Sequence, residues 1–180
     1  MKIFICILRG INVSGKNIIK MDALKQMFET LGAQKVNTYV QSGNVIFQYP
    51  DKNMENLETL IANRITTDFG YDVPVLVLSI DKLNRIIENN PFAEDPSKDI
   101  AFLHVTFLAS VPKEFDNETV FSKRMGDEEM KITDEAVYLY CPHGYGRTKL
   151  NNNFLENKLK VQATTRNWKT TLKLLEMAAD

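Results

Sequence analysis

The order of strands and helices in residues 1–80 constrains the fold more than any other feature of the chain. Apolar runs, alternating residues and apolar residues at helical spacing divide this segment into six elements. In order they are a strand at 2–8, a helix at 21–31, a strand at 36–40, a strand at 45–47, a helix at 53–69 and a strand at 73–79. The β-α-β-β-α-β order predicts a ferredoxin-like subdomain.

The second half of the chain repeats most of this order. A helix at 82–89 with Asp81 as its N-cap and a polar, proline-containing stretch at 89–99 predict a boundary. The elements that follow are a strand at 101–109, an irregular or helical stretch at 112–124, strands at 129–133 and 136–141, and helices at 151–159 and 166–178. We predict an α+β fold with an N-terminal subdomain (1–80), a helix and linker (81–99) and a C-terminal βαββα subdomain (100–180), whose final helix replaces the last strand.

Composition excludes several classes of protein. Net charge is −1 over 180 residues, so no overall positive field attracts nucleic acid or anionic lipid, and any anion site must be local. The longest apolar runs fall far short of the roughly 20 residues of a membrane span, which predicts a cytoplasmic protein without membrane contact. Cys6 and Cys141 lack disulfide or metal-site spacing and are expected to be buried thiols.

The loop Gly10–Asn17 is the first candidate site. Gly15-Lys16 resembles the end of a phosphate-binding loop, but Asn17 occupies the position of the Mg²⁺-binding hydroxyl, and the helix pattern starts only near Met21. A Mg-nucleotide site is therefore disfavoured. A looser anion site that uses Arg9 and backbone amides competes with a purely structural role for the glycines.

Three further segments carry candidate residues. The turn Gln41–Asn44 offers amides and a hydroxyl, although turn formation alone explains its glycine. The glycine-containing loop 142–149 combines an aromatic ring with several cations, and a solvent-exposed connection would look similar. At 164–169 a threonine is expected to cap a helix whose first turn includes Arg166 or Lys169, a cation that a bound anion, or a carboxylate from elsewhere in the fold, would balance. Trp168 is expected in the core.

Three separated segments resemble a bacterial family catalogued as domain of unknown function 1697. They are LRGINVSGKN near the start, TYVQSGNVIF at 38–47 and TTRNWKT at 164–170. The resemblance extends over nearly the whole chain. It implies two similar α+β subdomains arranged as an internal pseudo-dimer, and it implies no established reaction, substrate or cofactor.

The function predicted first is binding of a small phosphorylated or anionic ligand, with a nucleotide or nucleic acid included in that class. The predicted ligand-binding residues are Arg9, Asn12, Lys16, Gln41, Asn44, Tyr145, Arg147, Arg166 and Asn167. Two alternatives stay open: a transferase or hydrolase that uses His143 or Tyr145 in acid–base chemistry, and a structural or interaction module. The sequence leaves the cofactor, the oligomeric state and the existence of any reaction undecided, and it predicts no metal ligand set.

Overall fold

The computed structural model describes residues 1–50 and 54–179 and contains both helices and antiparallel sheets, which confirms the predicted α+β class. The chain divides into two compact units. The first comprises Met1–Leu83 together with the residues from Leu174 onward, and the second comprises Asn84–Lys173. Residues 89–99, the predicted boundary, thus belong to the second unit.

The first unit contains a four-stranded sheet in the order β2-β3-β1-β4, in which all neighbours are antiparallel. Its elements are β1 (Lys2–Leu8), α1 (Met21–Thr30), β2 (Gln34–Tyr39), β3 (Asn44–Tyr49), α2 (Met54–Phe69) and β4 (Val75–Ser79), and α3 (Ile80–Glu88) begins there and crosses into the second unit. The predicted element order is confirmed. The predicted cap is wrong, because the Ser79 hydroxyl, not Asp81, accepts the N–H of Lys82 at 3.2 Å.

The core of the first unit lies between one face of this sheet and helices α1 and α2. Alternate β1 residues, including Phe4 and Leu8, pack with Phe28 of α1 and Ile61 of α2, and all four are at least 97% buried. A strand with both faces buried is uniformly apolar, and β1 fits this pattern because Ile5 is also fully buried. The end of β1 is therefore a rigid starting point for the loop that follows it.

The second unit contains a sheet with the corresponding strand order, β6-β7-β5-β8, again antiparallel throughout. Its elements are β5 (Leu103–Leu108), α4 (Asn117–Phe121), β6 (Glu129–Ile132), β7 (Ala136–Tyr140), α5 (Asn152–Leu159) and β8 (Ala163–Asn167), and α6 (Trp168–Ala179) begins there and ends in the first unit. None of the helices in the described ranges has the length and apolar character needed to cross a bilayer.

Strand β8 corrects the prediction of a helix from residue 166 and of a subdomain without a last strand. Thr165 pairs with Thr106 of β5, and their hydroxyl oxygens are 2.7 Å apart. Thr165 donates its hydroxyl proton to Asn152 Oδ1 at 2.7 Å. Since a hydroxyl has one proton, Thr106 must be the donor to Thr165. Polar groups thus replace apolar ones on this face of the strand, which is why apolar periodicity failed to reveal it.

Lys98 anchors the segment 89–99 within the second unit. Its side chain is 8% exposed, and its ammonium lies 2.8 Å from carboxylate oxygens of both Asp95 and Glu129. It also lies over the rings of Phe92 and Tyr140 at 5.5 and 5.4 Å. The hydrogen bond to Asp95, and then that to Glu129, raise the pKa of Lys98.

We expect replacement of Lys98 to alter the acid dependence of stability. Hydrogen bonds from Lys98, and then from Ser97, hold the pKa of Asp95 far below its usual range. A carboxyl whose pKa falls on folding stabilises the protein above its unfolded pKa, about 3.9, and this contribution is lost as the pH drops through the folded pKa. The stability difference between wild type and Lys98→Met should therefore be largest near pH 7 and shrink between about pH 4 and pH 2.

Urea unfolding at a series of pH values measures this difference. Lys131→Met is the matched control, because Lys131 is exposed on β6 and has no ion pair in the described part of the chain. A difference between wild type and Lys98→Met that stays constant from pH 7 to pH 2 would contradict the assignment.

Candidate functional site

A tight turn places Lys16 at the tip of the loop after β1. Val13 and Lys16 form an antiparallel bridge, in which the Lys16 N–H donates to the Val13 carbonyl at 2.9 Å. Between them, Ser14 and Gly15 have φ values of +50° and +73°, the two positive values that a type I′ turn requires. Gly15-Lys16 is therefore a hairpin tip, not the entrance to a helix as in a phosphate-binding loop.

Asn12 holds this loop together and attaches it to a second one. Its Nδ2 donates to the carbonyls of Ile19 and Gln41, both at 2.9 Å, and its Oδ1 accepts the N–H of Ile19 at 2.9 Å. Its backbone N–H donates to the Asn17 carbonyl at 3.1 Å. One side chain thus fixes both arms of the loop and joins them to the turn that contains Gln41.

Close packing around Gly43 also holds these two segments together. Gly43 has a φ of +81°, and a Cβ at this position would lie 2.7 Å from Ile11 Cδ1 and 2.8 Å from Leu8 Cβ. The Gly43 carbonyl accepts the Leu8 N–H at 2.8 Å. Two motifs that are about 30 residues apart in the sequence therefore form one surface, which we call the paired-loop surface: residues 9–20 and 40–43.

The predicted site residues of the first unit have different roles. Asn44 is fully buried, and its Nδ2 donates to the Tyr39 carbonyl at 2.9 Å and to Ser42 Oγ at 3.1 Å. It supports the turn from within, which corrects its prediction as a ligand contact. Lys16 and Gln41 are exposed, and Arg9 is half-buried at the base of the loop.

The paired-loop surface is locally positive. Its residues include Arg9, Lys16 and Lys20 and no aspartate or glutamate, in a protein whose net charge is −1. Helix α1 follows directly, and Asp22 in its first turn offsets the positive end of the helix dipole, so the positive charge comes from the side chains of the loop.

Three aliphatic side chains on this surface are exposed, and the sequence analysis did not predict their exposure. They belong to Val13, Ile18 and Val40. Val40 continues the alternation of Val36 and Thr38, and Ile18 stands next to the buried Ile19, so residue type gives no signal that these side chains face solvent.

In the second unit, the Tyr145 side chain packs against other residues of the protein and is not displayed to solvent as a stacking surface for a ligand. Its ring stacks on His104 with centroids 4.8 Å apart, and it contacts the apolar core of this unit. Burial lowers the pKa of His104, which keeps its ring neutral at pH 7. Arg147 and His143 are exposed, and a Cβ on Gly126 would lie 3.4 Å from His143 Nε2.

Arg166 and Asn167 lie at the end of β8. Asn167 Oδ1 accepts the Thr170 N–H at 2.8 Å, so Asn167 caps α6, where a threonine was predicted. Arg166 precedes the cap and donates from Nη1 to the Thr165 carbonyl at 2.9 Å. Arg166 therefore lies outside the first turn of α6, contrary to the prediction, and Lys169 is the cation within that turn. Trp168 is 5% exposed, and its predicted place in the core is confirmed.

Cys141 is fully buried directly after β7. Burial, and then the charge of Glu128, raise the pKa of Cys141 to about 12, so its thiol stays protonated. Within residues 1–50 and 54–179, no group of three His, Cys, Asp or Glu side chains is placed to hold a metal ion.

We expect Asn12→Ala to lower the free energy of unfolding by about 1–3 kcal/mol more than Asn17→Ala. The two residues have nearly equal φ values, +53° and +49°, so the backbone cost of alanine is matched. Asn12 makes three side-chain hydrogen bonds, whereas Asn17 makes one, to the Gly10 carbonyl. Equal losses in urea unfolding would show that the Asn12 bonds do not hold the loops together.

Gly43→Ala should destabilise the protein by about 1–3 kcal/mol more than Gly70→Ala, because only the Gly43 methyl overpacks the core. Gly70 has a similar φ, +76°, but no atom lies within 4 Å of the position of a Cβ. Thermal unfolding of both variants tests this expectation, and a Gly43→Ala protein no less stable than Gly70→Ala would contradict the packing.

Comparison with known proteins agrees with the resemblance seen in the sequence. The chain is similar to the structure of the conserved bacterial protein SP0830 from Streptococcus pneumoniae, with 25% identity, a TM-score of 0.70 and 98% of each chain covered. No curated protein matches the chain. Residues 1–138 match the family described as "Protein of unknown function (DUF1697)", a range that includes the whole paired-loop surface and ends before the segment 164–170. The chain therefore belongs to the DUF1697 family.

Proposed function

We propose that the protein binds a small phosphorylated or otherwise anionic ligand at the paired-loop surface. One observation carries the proposal: the Asn12 side chain holds a loop that bears the exposed Lys16 and no carboxylate of its own against the turn 40–43. Lys16 has no ion pair among the described residues, and a bound anion would supply the opposite charge. The ligand class includes nucleotides and nucleic-acid segments.

Backbone amides supply a second kind of anion donor. The N–H groups of Gly10, Ser14 and Gly15 have no acceptor in the part of the chain that the structure describes, and all three residues are exposed. Gly10 and Asn12 have positive φ, with Ile11 between them outside that region. Alternation of this kind occurs in amide nests that bind anions, but the Asn12 N–H already donates to the Asn17 carbonyl, so the amides that remain for an anion are those of Gly10, Ser14 and Gly15.

The proposal assigns distinct roles to the residues. Lys16 and Arg9 provide charge, and the exposed Gln41 side chain orients the ligand. Asn12 and Asn44 position the loops, since their amide groups bond to other parts of the chain. Tyr145, Arg147, Arg166 and Asn167, which were predicted as further contacts, belong to the second unit, and the proposal does not depend on them.

The alternative of a transferase or hydrolase gains nothing from the second unit. Tyr145 stacks on His104 within packed structure, and His143 is exposed next to Gly126. The alternative of a structural module gains partial support, because Asn12, Asn17 and Asn44 all use their side chains to build loops. That use does not account for the exposed Lys16 side chain at the hairpin, so we favour anion binding.

Two finer features of the fold belong to this proposal. We infer a ferredoxin-like topology for each unit and an origin by internal duplication, supported by the shared antiparallel orders β2-β3-β1-β4 and β6-β7-β5-β8. The internal pseudo-dimer remains a prediction. A cytoplasmic location is also proposed, and the buried thiols of Cys6 and Cys141 suit a reducing compartment.

Lys16→Ala should weaken binding of inorganic phosphate about tenfold, the effect of losing one hydrogen bond to a charged group. Isothermal titration with phosphate, at low and constant ionic strength, measures the change. Lys2→Ala is the matched control: Lys2 is exposed at the start of β1, and the loop with Lys16 follows the end of that strand, about 20 Å away. Equal phosphate affinity in wild type and Lys16→Ala, or no phosphate binding by wild type, would refute the proposal.

A further inference from the structure

Apolar side chains face solvent on the same two loops that carry the cations. Val13 and Ile18 are each 55% exposed, and Val40 is 48% exposed. Exposed aliphatic residues are unremarkable when they are scattered, but a group of them on one surface marks a place of contact. These three therefore need an explanation that the charge of the paired-loop surface does not supply.

The hydrogen bonds of Asn12 bring the three residues together. Val13 follows Asn12 directly, and Ile18 lies between Asn17 and Ile19, both of which bond to Asn12. Val40 precedes Gln41, whose carbonyl accepts from Asn12. Each aliphatic residue is thus at most one peptide unit from the same network, and consecutive Cα atoms are 3.8 Å apart. All three residues, like Lys16, belong to the two segments that the Asn12 side chain joins.

Val40 is the most informative of the three. Its φ is +52°, a conformation that is costly for a β-branched residue and suits glycine or asparagine. Burial normally justifies an apolar side chain, but nearly half of this one is exposed. Neither the backbone nor the core of the free protein therefore accounts for valine here. Strained residues of this kind cluster where a ligand is held.

We propose that the ligand is a phosphate monoester with an apolar substituent. Its phosphate lies at Lys16 and the loop amides, and its apolar part covers Val13, Ile18 and Val40. This inference rests on the proposed function and specifies the ligand class of the same site. The paired-loop surface contains no Phe, Tyr or Trp, so the apolar part is held by aliphatic contact and not by ring stacking.

Methyl phosphate and butyl phosphate are the probes, since they have the same charge and differ by three methylene groups. Burial of one methylene strengthens binding about fourfold, so partial coverage of the butyl chain should strengthen it at least about tenfold over methyl phosphate. In Val40→Asn the ratio of the two affinities should fall towards one. The same variant should raise Tm by about 2–4 °C, because asparagine tolerates the positive φ.

Lys35→Asn is the matched control. Lys35 also has a positive φ, +49°, and lies near the start of β2, whereas Val40 follows its end. This variant should raise Tm in the same way and keep the preference for butyl phosphate. Both affinities are measured by isothermal titration, and Tm is measured without ligand.

The possible failures are distinguishable. If neither probe binds to wild type, both the proposed function and this inference fall. If the two probes bind equally well to wild type, the inference falls and anion binding stands. A preference for butyl phosphate that survives in Val40→Asn, or a lower Tm for that variant, would also overturn the inference, because Val40 would then be neither the apolar contact nor a strained residue.

Discussion

The side chain of Asn12 is the interaction on which the proposed site depends. A loop of twelve residues after β1 has no regular ladder to satisfy its backbone, and an amide side chain substitutes for one by donating twice and accepting once. Asparagine also tolerates the positive φ at this position better than glutamine, the other residue with a side-chain amide. Backbone conformation and hydrogen bonding therefore select the same residue type, and the loop is specified at two levels at once.

Much of the fold could be predicted from the sequence because apolar periodicity marks most of its helices and strands. The order of the first six elements, the turn around Gly43 and the burial of Trp168 all follow from local patterns. Strand β8 escaped because Thr165 satisfies its hydroxyl within the unit, through Thr106 and Asn152, and so needs no apolar face. The cap of α3 was placed at Asp81 and not at Ser79 because serine and aspartate are equally good N-cap residues, and the two lie only two positions apart.

The residues of the candidate site could be predicted only in part from the sequence. Residue type pointed to Lys16 and Gln41, which are exposed, and equally to Asn44, which is enclosed. Nothing in a linear sequence distinguishes an amide that serves a ligand from one that serves the backbone. The bond from Asn12 to the Gln41 carbonyl spans 29 positions, and its consequence, a shared surface with exposed valines, emerges only when the chain is folded.

The path of the chain between its two units has a consequence for synthesis. The chain leaves the first unit at Leu83 and returns to it at Leu174, where Met177 and Ala178 line a cavity of about 290 Å³ together with Ile3 and Ile46. The strands of the first sheet thus share their unit with a helix that is synthesised about 90 residues later. The first sheet can form early during synthesis, but its unit lacks this helix until the residues after Leu174 have been made.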